Sequence, residues 1–185
     1  MMKFAEYKNK ILNEIFLTLD AVSEEKVDEL TEAISSASRI FVDGAGRSGY
    51  MMRCFAMRLM HLGFRTYFVG ETVTPGAREG DILIIGSGSG ETGSLVARAK
   101  KAKKIGCKIA LITISGCYSL GSLADWVIEI PAPTAKKETE YKSIQPMGNL
   151  FEQALLLTCE IIIMKITEKT GISSDEMFKN HANLE

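Results

Sequence analysis

The sequence predicts an α/β fold: a five-stranded parallel sheet of order 2-1-3-4-5, flanked by helices on both faces. Three observations predict it. Short β-branched and aromatic runs at Arg39–Asp43, Thr66–Val69, Asp81–Ile85, Lys108–Ile114 and Trp126–Ile130 are nearly continuous in apolar character rather than alternating. That is the mark of strands buried on both faces of a parallel sheet. Helical segments Gly49–Leu62, Thr92–Ile105 and a short Leu120–Ala124 fall between them, giving β-α-β alternation with right-handed crossovers. Glycine-rich turns follow the first and third runs, which flank the switch point where such sheets bind ligands.

The chain of 185 residues is 46% hydrophobic and 24% charged, the balance and size of one globular domain spanning 1–185. Such a chain buries roughly 70% of its unfolded surface and builds a core without staples. Residues 2–36 read as helical, with Ile11, Ile15, Leu17 and Leu19 on an apolar stripe and a new start at Ser23-Glu24-Glu25. The sheet core occupies about 39–131. After Pro131 comes one long polar loop, Ala132 to Gln145, with Lys136, Lys137 and Lys142. Loops of that length in compact domains are functional lids or mobile segments; its lysines read as solvated, with one able to approach a bound phosphate on closure. A helix from Met147 to about Lys169 is stopped by Gly171, and the tail 172–185 ends in His181-Ala182-Asn183-Leu184-Glu185. Met51, Met52, Met57 and Met60, at near-helical spacing, read as core or subunit interface, and His61 as a packing or capping residue.

Lys+Arg of 22 against Asp+Glu of 23 leaves a net charge of −1. Binding through phosphate neutralisation calls for a basic excess, so no nucleic-acid partner is expected. Cys54, Cys107, Cys117 and Cys159 form no CxxC pair, and His61 and His181 are the two histidines. This points away from a zinc site and toward buried thiols in a reducing compartment. The N-terminus carries Glu6 and lacks an apolar signal core. The greasiest stretch, Ala154 to Ile166, contains Glu160 and Lys165 and falls short of the about 20 apolar residues of a membrane span. A cytoplasmic protein, away from membranes, is expected.

The first glycine turn, Asp43-Gly44-Ala45-Gly46-Arg47-Ser48-Gly49, satisfies GxGxxG between strand and helix. That is the dinucleotide fingerprint, with Glu71 as the candidate ribose acid, although the motif matches many βα turns. The second turn, Ile85-Gly86-Ser87-Gly88-Ser89-Gly90-Glu91-Thr92, is more telling. Its glycines admit an anion close to the backbone, the N–H groups of the next helix point at it, and Ser87, Ser89 and Thr92 add hydroxyls. No lysine follows, so it is not a nucleoside triphosphate loop; such a cradle suits a single sugar-linked phosphate. The blander alternative is that Ser89 or Thr92 caps the helix.

Four segments carry a family resemblance: Gly44–Gly49; Gly86–Thr92; Ile144-Gln145-Pro146-Met147-Gly148 with Phe151-Glu152-Gln153; and the ending His181–Glu185. On them the chain resembles the 6-phospho-3-hexuloisomerase family of sugar isomerase (SIS) domain proteins, over essentially its whole length. The serine-glycine turn indicates the SIS domain; the 145–153 segment and the tail narrow it to these isomerases. The resemblance implies a single SIS domain with flavodoxin-like strand order. It implies interconversion of D-arabino-hex-3-ulose 6-phosphate and D-fructose 6-phosphate, the second step of formaldehyde fixation in the ribulose monophosphate pathway, paired with a 3-hexulose-6-phosphate synthase. It also implies no metal or organic cofactor, a homotetramer, a sugar phosphate held by Ser48 with Gly88, Ser89, Gly90, Glu91, Thr92 and Gly93, and Glu152 as proton acceptor.

Moving a carbonyl from C3 to C2 takes a proton from C2 and returns one to C3 through a cis-enediolate. One carboxylate above that plane serves both adjacent carbons. A 3-ketose phosphorylated at O6 cannot close onto that oxygen, so this substrate is open-chain. Glu152, near the start of the last helix where the dipole favours its ionised form, is the candidate base. Against this, Asn149-Leu150-Phe151-Glu152 has capping-box spacing with Glu152 at N3. Arg47 is either a stabiliser of the enediolate oxygens or a structural ion pair. His181 lies in a tail, where fraying is the rule; a tail reaching a neighbouring subunit would place it in that subunit's site, shuttling protons between enediol oxygens. Two other readings stay open: a non-catalytic SIS module that senses a sugar phosphate, and a minimal NAD-binding domain on Gly44–Gly49.

Overall fold

The structure, a computed structural model, describes residues 1–133 and 142–184. Two helices lead, α1 (Phe4–Asp20) and α2 (Glu24–Ser36), separated where the Ser23 hydroxyl accepts the Lys26 N–H as N-cap. Strands and helices then alternate: β1 (Ile40–Gly44), α3 (Gly46–His61), β2 (Thr66–Phe68), β3 (Ile82–Gly86), α4 (Gly93–Ile105), β4 (Lys108–Thr113), a 3-10 turn (Gly121–Leu123) and β5 (Trp126–Glu129). α5 (Asn149–Thr170) and α6 (Ser174–Phe178) are the last elements of the described residues.

The sheet order is β2-β1-β3-β4-β5, with every neighbouring pair parallel. Alternate strand residues feed two cores. Ile40, Val42, Ile82, Ile84, Ala110 and Ile112 pack with α2, α3 and α5; Phe41, Leu83, Ile85, Ile109 and Leu111 pack with α4. Both faces being apolar, the strands read as unbroken greasy runs. β1 and β3 begin one residue later than those runs, because Arg39 and Asp81 act as a clasp at the sheet's lower edge: the guanidinium donates Nε and Nη2 to the carboxylate at 3.0 and 2.5 Å. The expected helix over 120–124 is only the 3-10 turn. The last helix begins at Asn149 rather than Met147, whose φ of 60° lies outside the helical region. Part of the tail is ordered as α6, closed by a capping box between Ser173 and Glu176. Among the described residues no helix is long and apolar enough to cross a membrane.

Pairing sets Gly44 of β1 beside Gly86 of β3. Both glycine turns therefore leave the same edge of the sheet at the point where strand order reverses.

Candidate active site

Close packing dictates the glycines. A Cβ on Gly49 would stand 2.7 Å from the Gly44 carbonyl oxygen, so α3 can fold back tightly on β1 only without side chains there. A Cβ on Gly88 would stand 3.0 Å from the Phe151 ring, so the second turn lies directly under the start of α5. Between these elements opens a cavity of about 300 Å³. Arg47 and Ser48 come to it from the first turn, Ser87, Gly88, Ser89 and Thr92 from the second, and Met147, Phe151 and Glu152 from the entry to α5.

The hydroxyls of the second turn are not spent on capping. Thr92 is the N-cap of α4 and makes no side-chain cap bond; the Ser89 hydroxyl accepts the Glu91 N–H within its own turn at 3.4 Å. Ser87 and Ser89 are buried at the cavity wall. Gly90, Glu91 and Gly93 do not line the cavity. The Glu91 carboxylate accepts the backbone N–H and hydroxyl of Ser119 at 3.0 and 2.7 Å. A carboxylate among phosphate ligands would repel the dianion; here it anchors the neighbouring loop.

Glu152 is not the capping residue its spacing suggests. The N-cap of α5 is Gly148, with no side-chain cap bond, so Glu152 falls one position further into the helix. Its Oε2 forms an ion pair with Arg47 Nη1 at 2.8 Å, and the same Nη1 donates a hydrogen bond to Asn149 Oδ1. The Arg47 side chain is 55% exposed and that of Glu152 16%. Burial raises the Glu152 carboxyl above its ordinary range; Arg47 opposes that shift without cancelling it. The downward pull expected of the helix dipole is therefore outweighed. Asn149, Gln145 and Gln153 form a side-chain chain behind Arg47.

His181 is not brought to this cavity within one chain. Its ring stacks on His61 with centroids 5.4 Å apart, beside Phe178. His61 and Arg47 sit at opposite ends of α3, about 20 Å apart by the helical rise. His61 is buried, consistent with packing, and burial lowers its pKa, helped by Arg58 and His181. Glu71 pairs with Arg53, whose guanidinium lies 3.8 Å over the Phe68 ring, so it is not a free ribose acid. Met52 is core, whereas Met57 and Met60 are exposed. Lys142 lines a different cavity with Glu14 and Leu150; Lys136 and Lys137 lie outside the described residues. Of the cysteines, Cys117 is exposed, against the expectation of buried thiols. Among the described residues no three His, Cys, Asp or Glu side chains gather as metal ligands would.

The SIS domain family model matches residues 33–157. A Bacillus subtilis protein named 3-hexulose-6-phosphate isomerase is 50% identical over 185 residues, the whole of both chains. A Methanocaldococcus jannaschii protein of the same name is 44% identical over 86% of this chain and 84% of its own. The crystal structure of a Methanococcus jannaschii protein, for which a 3-hexulose-6-phosphate isomerase function was inferred, superposes with a TM-score of 0.85 at 40% identity, covering 97% of this chain and 99% of that one. With the glycine turns at the switch point and the carboxylate at the entry to α5, these likenesses lead to one conclusion: the chain belongs to the SIS domain family, among its 3-hexulose-6-phosphate isomerases.

Proposed function

We propose that the chain interconverts D-arabino-hex-3-ulose 6-phosphate and D-fructose 6-phosphate. The observation that carries this is one cavity with a lysine-free cradle of Ser48, Ser87, Gly88, Ser89 and Thr92 on one side and the Arg47–Glu152 pair on the other. The cradle takes the phosphate through hydroxyls, backbone N–H groups and the α4 N-terminus. The linear sugar then runs toward Glu152.

Glu152 as carboxylate removes the proton from C2. The C–H electrons form the C2=C3 bond, and the C3 carbonyl becomes an oxyanion. Arg47 stabilises that charge. The O2 proton passes to O3, the C2 carbonyl forms, and the Glu152 carboxyl returns its proton to C3. Burial makes Glu152 a stronger base than an exposed glutamate, which suits abstraction from carbon. We assign the O2-to-O3 transfer to His181 of a neighbouring subunit, since its own chain holds it far from the cavity.

A homo-oligomer, a tetramer by the family pattern, is part of the same proposal. It is supported by an exposed apolar stripe on α5, Leu157, Ile161 and Met164, with Met57 and Met60 exposed on the adjoining α3. A 3-hexulose-6-phosphate synthase would supply the substrate, in the ribulose monophosphate pathway.

The test is exchange in deuterated water with fructose 6-phosphate. Deuterium should appear at C3 of fructose 6-phosphate and at C2 of the 3-hexulose, with no glucose 6-phosphate. Label at C1 with glucose 6-phosphate formed would mean an aldose–ketose isomerase; neither label nor 3-hexulose 6-phosphate would leave a sensor.

A further inference from the structure

Glu14 of α1 lies far from the glycine turns in sequence, yet it ends a line of hydrogen bonds that begins at Arg47. Its carboxylate accepts the Ser143 hydroxyl at 2.6 Å, the Ile144 N–H at 2.8 Å and the Gln145 side-chain amide at 3.0 Å. Gln145 is buried, and its Oε1 accepts from Asn149 Nδ2 at 3.1 Å and Gln153 Nε2 at 2.6 Å. Asn149 Oδ1 in turn accepts from the guanidinium that holds Glu152.

The line has a direction, and its two ends impose it. A carboxylate only accepts and a guanidinium only donates. Gln145 must therefore turn its NH₂ to Glu14 and its oxygen to Asn149, and Asn149 must turn its oxygen to Arg47. Burial acts to raise the Glu14 pKa, but the three hydrogen bonds and Lys10 outweigh it and hold the carboxyl below the ordinary range. The acceptor end thus stays ionised.

We propose that Glu14 is a positioning residue of the isomerase centre: it sets the polarity of the Gln145–Asn149 line and so aims Arg47 at Glu152. This rests on the function proposed above. It also makes α1, which packs on α5 rather than in the sheet, part of the catalytic scaffold.

The test uses E14Q, N149D and the double variant in the full chain, with kcat, KM and melting temperature for each. In E14Q the amide oxygen stays on the backbone N–H of Ile144, which cannot turn, so the new NH₂ faces the Gln145 NH₂. Gln145 must turn over, Gln153 with it, and Asn149 then has one oxygen for two donors, so Arg47 is released. The expected result is a fall in kcat on the order of 100-fold, as for a misplaced catalytic group, with KM within about twofold because the phosphate cradle is untouched. N149D alone sets a carboxylate against the Gln145 oxygen and is also impaired. Together the two reversals agree: Gln145 turned over donates to Asp, whose second oxygen takes Arg47. The double variant should recover at least about tenfold in kcat over E14Q, a coupling of neighbours rather than a sum. A double variant no better than the worse single, or E14Q with unchanged kcat, overturns the proposal. If E14Q does not fold, the double variant carries the test, since a merely structural Glu14 predicts that it fares worse still. Wild-type turnover is measured first; its absence would remove the proposed function, whereas an active wild type with an indifferent E14Q removes only the role of Glu14.

Discussion

Glu152 shows how the setting of one side chain decides its chemistry. At the entry to a helix a carboxylate is ordinarily a capping partner or a solvated acid. Here Gly148 takes the cap, burial raises the carboxyl pKa, and Arg47 keeps the ionised form within reach. As the proposed base, Glu152 works only as the carboxylate, so the rate should fall as pH drops through its pKa. Because that pKa is raised, the acidic limb of kcat/KM against pH should lie above the ordinary glutamate range. Glu152→Gln should abolish this limb and lower kcat by roughly 100- to 10,000-fold, the usual worth of general acid–base catalysis. A limb that survives the substitution would assign the base elsewhere.

Among the elements, the approach of α3 to β1 holds the site together. The first glycine turn looks like a dinucleotide fingerprint, yet its glycines are explained by packing: Gly44 and Gly49 touch backbone to backbone, and Glu71 is engaged by Arg53. Gly49→Ala forces a Cβ against the Gly44 carbonyl, which cannot swing aside as a side-chain tip would. Thermal denaturation should show a loss of about 1–3 kcal/mol, as for overpacking, at about 2–4 °C per kcal/mol for a chain of this size. Activity should fall with it, because Arg47 and Ser48 ride on the same turn. A melting temperature equal to wild type would show that the turn can widen enough to admit a methyl group.

At the scale of the whole molecule, the distribution of apolar surface bears on assembly. The stripe Leu157, Ile161 and Met164 runs along α5, the same helix that presents Glu152. If neighbours meet there and a tail crosses to supply His181, sites are shared between subunits. E152Q and H181A oligomers, each nearly inactive, should then regain activity when unfolded together and refolded as mixtures, up to roughly a quarter of wild type for random pairing across a two-chain site. Mixtures as inactive as the parents would confine each site to one chain. Sedimentation should show wild type heavier than a monomer and I161E shifted toward it.

How much of this was legible in the chain follows from the range of the forces involved. The five strands and the long helices came through because they are local: apolar runs, β-branched residues and glycine breaks are written in consecutive residues; the misses were element ends, as at Met147, and the shortest pieces, the 3-10 turn at 121–123 and α6. That the serine-glycine turn lines a cavity was legible for the same reason, since one continuous turn supplies most of the wall's groups. The sequence pointed to Glu152, but folding alone decided that it meets Arg47 instead of capping α5, that Asn149 serves Arg47 rather than the helix end, that Glu91 turns to Ser119, and that His181 lies against His61. Glu14 had no signal at all, because its partners lie in the segment before α5 and no periodicity records a contact between residues so far apart in the chain. Local order is a property of neighbouring residues; the direction of a side chain at a site is set by whatever the tertiary packing brings to meet it.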